Sequence, residues 1–449
     1  MPSHVGLFHL LRDGCFWAYD VRTMLDIELL RNNPERVKKT VADKGCNPAL
    51  VDEFLALDTA WRGVQKELDE ARAAQKKLSD ARDIEGAKAN KLKIKELEEK
   101  SAQLSLERED KWIRIPNLAS EDTPIGKNED ENVELRRWGE LPKFDFTPKD
   151  YMDLGELHDI IDTERASRVS GARFGYLKGA AALMEFALVK FGMDTLTDEK
   201  ILREVADSIE PGYPATPFIP VVPPVMIKPD VYRRTARLNP GDEEERYYLP
   251  ADNMYLIGSA EHTLCSMHID EILKEEQLPL RYVGFSTAFR REAGSYGKDT
   301  RGILRVHQFD KLEMESFTTP EMSQKEQDFI VALQEYMMRA LKLPHRTIIC
   351  CTGDMGNPDY RHIDIEAWFP AQNKYRETHS ADLMIDYQAR RLNTKVRRAD
   401  GSLVFAHMND ATAFSQRPIL AILENNQLPD GRVVVPEVLR EYLKRDIIG

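Results

Sequence analysis

Hydrophobic and polar positions change their rhythm along the chain. From Leu57, apolar and small residues recur at alternating steps of four and three: Leu57, Trp61, Val64, Leu68 and Ala71, then polar Gln75, then Leu78. A second run repeats the spacing through Ala87, Asn90, Ile94, Leu97, Ser101 and Leu104. This is a coiled-coil seam thinned by polar members. Asp83-Ile84-Glu85-Gly86 between the runs supplies a turn, so the pattern predicts two helices folded back as an antiparallel arm. At about 30 residues each, they would project roughly 45 Å. Ahead of the arm, residues 26–45 read as one short helix ending at Gly45.

From Tyr151 onward, helical segments (179–191, 324–341) alternate with β-like runs at 280–286, 303–315, 346–351, 362–368 and 403–408. Ile219-Pro220-Val221-Val222-Pro223-Pro224 reads as a strand stopped by prolines. Strands separated by helices at irregular spacing predict an α+β fold on a mixed or antiparallel sheet. The expected division is a helical-arm domain over 24–134, joined through Ile115-Pro116-Asn117-Leu118 and a polar stretch to a sheet domain over 135–449. Residues 1–23 lack the basic start and long apolar run of a signal peptide. They read as an upstream start or loose extension before a folded protein beginning at Met24, with targeting as the alternative.

Composition narrows the function. The 449 residues carry 63 Lys+Arg against 76 Asp+Glu, a net charge of −13. A 42% hydrophobic content is too high for wholesale disorder, and no run nears the ~18 apolar residues that span a bilayer, so no membrane partner is expected. The acidic balance also argues against a protein that coats DNA. Residues 62–114, however, hold fourteen Lys/Arg and twelve Asp/Glu, a net of +2 that leaves −15 for the rest. Lys88, Lys91, Lys93 and Lys95 gather just past the turn. They form either a solvated coiled-coil face or a finger that touches a phosphate backbone. Five cysteines without a Cys-x-x-Cys pair fit reduced thiols in a cytoplasmic protein. Cys350-Cys351 reads as core. His362-Ile363-Asp364-Ile365-Glu366 alternates as a sheet strand does, which is a plainer reading than a metal cluster.

The densest chemistry runs from Phe289-Arg290-Arg291-Glu292 through a glycine-rich loop to Arg305-Val306-His307-Gln308-Phe309-Asp310-Lys311-Leu312-Glu313. Arginine donates two parallel charged hydrogen bonds to a phosphate or carboxylate. Glu292, two residues after Arg290, would share its face of a strand and could accept from an amino group. Phe309 offers a stacking face for a base. This run strongly resembles motif 2 of class II aminoacyl-tRNA synthetases, in the form found in seryl-tRNA synthetases. The resemblance extends from Met24-Leu25-Asp26-Ile27 through Pro124-Ile125-Gly126-Lys127 and Arg136-Arg137-Trp138-Gly139-Glu140 to Pro436-Glu437-Val438-Leu439.

The resemblance implies a class II catalytic domain, an antiparallel sheet flanked by helices, behind a coiled-coil arm. It implies that Arg290 grips the ATP α-phosphate, Glu292 reads the adenine amino group, Val306 and Phe309 contact the adenine, and Glu313 holds the serine substrate. Ser259-Ala260-Glu261 matches the family's Thr-x-Glu serine-binding stretch, with Ser259 and Glu261 as the contacts. Glu377 and Ser380 match the pair that coordinates Mg²⁺ on ATP, and Arg417 matches the motif 3 arginine on the γ-phosphate. Pro418 is suited to the first helical position, which would aim Arg417 and a helix N-terminus at phosphate. Two stretches depart from the pattern. Thr378-His379 and Ala381-Asp382-Leu383 replace the usual neighbours of the metal pair. The segment from Asn409 to Arg417 is one residue out of step, so either Thr412 or Ala411 makes the serine contact. The activity implied is that of a homodimeric serine–tRNA ligase. It joins L-serine to AMP and passes it to tRNA(Ser), held by its long variable arm, and to tRNA(Sec). Pro223-Pro224 resembles the interface-building motif 1. A carrier-protein acylating paralogue and a coiled-coil scaffold with an inactive enzyme domain are the rival readings.

Overall fold

The computed structural model describes residues 25–239, 241–292 and 302–449. The 1–23 extension, Met24 and the glycine-rich loop at 293–301 lie outside the described residues. The first predicted helix is two, because Pro34 starts a new one: α1 (Ile27–Asn32) and α2 (Pro34–Asp43). The arm is α3 (Ala49–Asp80, 32 residues) and α4 (Ile84–Ile113, 30 residues). Its turn is tighter than the sequence suggests. Ile84-Glu85-Gly86 already belongs to α4, and the Asp83 carboxylate caps the helix by accepting from the Gly86 amide at 2.9 Å.

Val64, Leu68, Ala71 and Leu97 are buried between the arm helices, with Ile94 and Leu104 packed against them. The polar seam members find each other. Asn90 Nδ2 donates to the Ala71 carbonyl and to Gln75 Oε1, both at 2.8 Å, and Gln65 Nε2 donates to Ser101 Oγ. Such pairs cost stability but fix one register. At the base of the arm, buried Asp58 accepts from Arg31 Nε and Nη2 and from Arg108 Nη1, each at 3.0 Å, and pairs with Arg62 Nε at 3.1 Å. Arg108 lies 4.1 Å above the Trp61 ring. Trp112 packs on Phe54 and donates to the Leu25 carbonyl at 2.9 Å.

Beside four smaller sheets of two or three strands, the body is built on an eight-stranded sheet. In chain order the strands are β1 (Val133–Trp138), β2 (Ile219–Val221), β3 (Leu280–Phe289), β4 (Gln308–Thr318), β5 (His345–Ile349), β6 (Arg361–Phe369), β7 (Lys374–Ile385) and β8 (His407–Ser415). Their spatial order is β1-β5-β6-β7-β8-β4-β3-β2. All neighbours are antiparallel except β2 with β3. The chain thus enters the sheet at Val133, and the proline-rich β2 is an edge strand, where a missing amide costs no ladder bond. Two sequence expectations change. Residues 303–307 precede β4 rather than belonging to it, and 403–408 divides between a short strand, Leu403–Phe405, and the start of β8.

One sheet face is covered by α5 (Gly179–Thr197), α6 (Ser323–Ala340) and α7 (Arg417–Asn425), and Leu312, Met314, Ala381, Ala411 and Phe414 join this core. Two buried glutamines of α6 tie the strands beneath. Gln334 Nε2 donates to the Ser380 and Thr412 carbonyls at 2.8 and 2.7 Å, and Gln327 Nε2 to those of Arg361 and Ala381 at 2.9 Å. The Pro124-Ile125-Gly126-Lys127 stretch lies against Gly353, where a side chain would strike the Gly126 and Lys127 backbone.

Replacing Asp58 with alanine strands three guanidinium groups around a buried void. The expected loss is about 3–5 kcal/mol of stability in the helical domain. Chemical denaturation followed by circular dichroism measures it, and a loss below 1 kcal/mol would show that the charges relax into solvent.

Candidate active site

The sheet face opposite the α5–α7 core carries the charged residues. Side chains two apart on a strand share a face, so on β4 Phe309, Lys311, Glu313 and Glu315 point the same way. Partners directly across an antiparallel ladder also share a face. Thr412 and Asp410 of β8 stand opposite Glu313 and Glu315, Asp382 of β7 opposite Asp410, and His362 of β6 opposite Asp382. Glu377 and Ser380 are three apart, which should place them on opposite faces. A bulge at Thr378 restores the match: Ile365 pairs with His379 but Glu366 pairs with Glu377. A second bulge, at Ala413, does the same for Thr412 and Ser415.

These residues surround a cleft of about 350 Å³, lined by Arg290, Glu292, Val306, Phe309, Glu377, Ser380, Thr412 and Arg417, with Lys311, Asp364 and Glu366. Arg290 Nε donates to the Gly258 carbonyl at 3.1 Å, and its guanidinium lies 5.3 Å from the Phe309 ring centre. Arg417 stands in the first turn of α7, ahead of Pro418, and its Nη1 pairs with Glu377 Oε1 at 2.8 Å. Desolvation opposes ionisation of Glu377, but Arg417 outweighs it and holds that carboxyl below its usual range. Thr412 Oγ1 is 3.5 Å from Ser380 Oγ, whereas Ala411 is buried on the far face among core residues. Of the two residues weighed for the serine contact, the cleft therefore receives Thr412. Glu292 lies in the cleft for a different reason than its spacing suggested. β3 ends at Phe289, and Glu292 sits beyond it at φ +51°, with its carboxylate 3.7 Å from Arg305 Nη1.

Ser259, Glu261 and Glu313 cluster beside the cleft, held by two cations that the sequence reading did not single out. Lys311 Nζ pairs with Glu313 Oε2 at 2.7 Å and donates to Ser259 Oγ at 3.4 Å. Partly buried Arg237 pairs with Glu261 at 2.6 Å, Asp410 at 3.3 Å, Asp382 at 3.4 Å and Asp359 at 3.5 Å. The charged alternation Lys311, Glu313, Glu315 was visible in the sequence. Nothing in Thr235-Ala236-Arg237-Leu238 marks Arg237.

Two model matches cover both parts of the chain: the seryl-tRNA synthetase N-terminal domain over residues 24–119, and the tRNA synthetase class II core domain (G, H, P, S and T) over residues 247–426. A serine–tRNA ligase from Acidothermus cellulolyticus is 41% identical over 437 residues, 95% of this chain and 99% of its own. This chain belongs to the seryl-tRNA synthetase family. Among solved members, the seryl-tRNA synthetase from Pyrococcus horikoshii complexed with ATP superposes with a TM-score of 0.86 at 36% identity, covering 95% of this chain and 99% of that one. The cytoplasmic serine–tRNA ligase from Naegleria fowleri in complex with AMP gives 0.84 at 30% identity over the same shares.

Within this seryl-tRNA synthetase, His362 proves more than a strand residue. Its Nδ1 is 2.8 Å from Asp382 and 3.3 Å from Asp359, and its Nε2 is 2.8 Å from Asp364. Burial would lower its pKa, but Asp382 and Asp364 prevail and raise it well above the ordinary value. The basic group on the arm stays apart from the cleft. Lys88, Lys91, Lys93 and Lys95 are exposed on α4, where steps of three and four put Lys88, Lys91 and Lys95 on one stripe and turn Lys93 aside. Cys46, Cys265, Cys350 and Cys351 are free thiols, and the last three are buried. No helix among the described residues is long and apolar enough to cross a membrane.

His379, behind Ser380, is buried, and burial together with nearby His345 lowers its pKa to about 3. A folded value below the unfolded 6.5 adds stability that is complete above pH 6.5 and lost as pH falls toward 3. His379→Gln should flatten that acid limb by up to about 1.4 kcal/mol per pH unit. Urea midpoints stepped from pH 7 to pH 4 measure it, and parallel curves for the two proteins would refute the assignment.

Proposed function

We propose that this serine–tRNA ligase forms seryl-adenylate in the cleft between Arg290 and Arg417. One observation carries the reading: two guanidinium groups from separate elements line a single cleft that a buried cluster of carboxylates adjoins. Serine's carboxylate oxygen bonds to the α-phosphorus of ATP, and the bond to the β-phosphate oxygen breaks, releasing pyrophosphate. Both partners are anions, so fixed cations must stand at the point of meeting. Arg290 holds the α-phosphate, Arg417 the γ-phosphate, and Phe309, Val306 and Glu292 the adenine. Glu261, Glu313, Ser259 and Thr412 orient the amino acid. No general base is needed, since the nucleophile is already ionised. Mg²⁺ suits the hard oxygen donors of Glu377 and Ser380, and on the ATP phosphates it would neutralise the developing charge.

The acceptor is tRNA(Ser), with tRNA(Sec) a second acceptor, and the α3–α4 arm grips the long variable arm through the Lys88, Lys91, Lys95 stripe. The described chain divides near residue 134 into an arm domain and a catalytic domain, and its setting is cytoplasmic. A homodimer explains the apolar surface around β2, where Val222 is 85% exposed and Ile219 47%.

Serine-dependent ATP–pyrophosphate exchange separates these roles. Arg290→Ala should lower exchange about 10²–10³-fold. Replacing 69–101 by a short turn, which keeps the Asp58–Arg108 base, should leave exchange near wild type and abolish tRNA charging. Undiminished exchange in the first variant, or intact charging in the second, sinks the corresponding role. Light scattering should give twice the 51.5 kDa chain mass, and Val222→Asp should shift it toward one copy. A single-copy mass in the unaltered protein would rule the dimer out.

A further inference from the structure

Two of the residues assigned to serine face each other across the sheet, Glu313 on β4 and Thr412 on β8. The next row along holds three more acids side by side, Glu315 opposite Asp410 and Asp410 opposite Asp382, and ends at His362. Like charges directly across a ladder repel, so such a row needs counter-charge. Asp382 has His362 at 2.8 Å and Arg237 at 3.4 Å, and Asp410 has Arg237 at 3.3 Å. In the serine row, Glu313 has Lys311 at 2.7 Å. Glu315 has nothing. It is fully buried, and neither carboxylate oxygen has a hydrogen-bond partner among the described residues.

We propose that Glu315 is a specificity-determining residue: it extends the amino-acid pocket by one row into a carboxylate-lined end that takes the side-chain ammonium of a short diamino acid. The inference rests on the assignment of Glu261 and Glu313 to the amino-acid pocket. Burial beside Glu261 and Glu313 pushes the Glu315 carboxyl well above its usual range, which disfavours its charged form until a cation arrives. Arg237 favours the Glu315 charge from a distance, but its ion pairs are with four other carboxylates and it makes none with Glu315 among the described residues. Serine brings a hydroxyl, one donor and no charge. A side-chain ammonium brings three donors and the missing positive charge. Burying a second cation would be costly in a neutral pocket and is favoured in this one. Adenylate formation itself is unchanged, with the α-carboxylate attacking the α-phosphorus.

The test is ATP–pyrophosphate exchange by the unaltered full chain with serine, alanine, L-2,3-diaminopropionate and L-2,4-diaminobutyrate. Exchange with at least one diamino acid, and none with alanine, is expected. In Glu315→Gln, which keeps the shape and removes the charge, kcat/KM for that diamino acid relative to serine should fall by about tenfold or more. Thermal melting of the variant checks its fold, and the unaltered protein answers the first question without it. If serine supports exchange but neither diamino acid supports exchange or competes with serine, the inference is overturned while the ligase reading stands. A ratio unmoved by Glu315→Gln overturns it as well. Absence of serine-dependent exchange removes the underlying reading instead.

Discussion

The cleft depends on two interruptions of strand alternation. An antiparallel sheet assigns faces with a period of two, so side chains an odd number of residues apart are separated by the full thickness of the sheet. Glu377 and Ser380, and likewise Thr412 and Ser415, are an odd number apart, yet all four line one cleft. The extra residues Thr378 and Ala413 make that possible. Both bulges are held from below. Thr378 Oγ1 donates to the Ile365 carbonyl at 3.1 Å, and Gln334 of α6 reaches the carbonyls of Ser380 and Thr412 together. A bulge costs a ladder bond and twists the strand. Here α6 fixes where that happens, so core packing on one face positions the chemistry on the other.

Charge is the second constraint, and it is unevenly shared. One end of the cleft has Arg290 and Arg417, the end proposed for phosphate, while the other adjoins acids that Arg237 and Lys311 only partly balance, the end proposed for the amino acid. The two ends ask opposite things of their ligands, which suits an amino acid: its carboxylate points toward the guanidinium groups and its ammonium toward the acids. A zwitterion is oriented before any specific hydrogen bond is counted. A protein of net charge −13 can handle a polyanionic nucleotide because its cations are focused where phosphate must sit.

Much of this was legible in the chain and some was not, for identifiable reasons. The arm showed itself through the spacing of Val64, Leu68 and Leu97, because a two-helix seam has no other way to bury its apolar residues. Phe309 and Glu313 stood out on one face of a strand, and Arg290 in the dense charged run ahead of them. β7 escaped the pattern reading, since Lys374–Ile385 mixes polar and apolar residues and the bulge at Thr378 breaks the alternation that would have revealed it. Arg237 was invisible because its role is set wholly by long-range contacts: its partners Glu261, Asp359, Asp382 and Asp410 come from four distant stretches of chain.

The helical domain is joined to this charge network through the loop around Asp359. Lys44, following α2, donates from Nζ to the Asp359 carbonyl at 2.7 Å, and Asn117 Nδ2 donates to the Pro358 and Met384 carbonyls at 2.8 and 2.9 Å. Asp359 sends its side chain the other way, to Arg237 and His362. Burial pulls the Lys44 ammonium down to about 8, which marks how dry this junction is. A buried lysine surrounded by backbone carbonyls tolerates little displacement, because each lost hydrogen bond leaves a charge unsolvated. The loop that supplies Asp359 is therefore placed by both domains at once. Arg390 adds a second tie, binding Asp386 at 2.7 Å on its own helix and Asp26 at 3.0 Å ahead of α1. The arm is carried on a base whose position and the geometry of the acidic pocket are set by the same few residues.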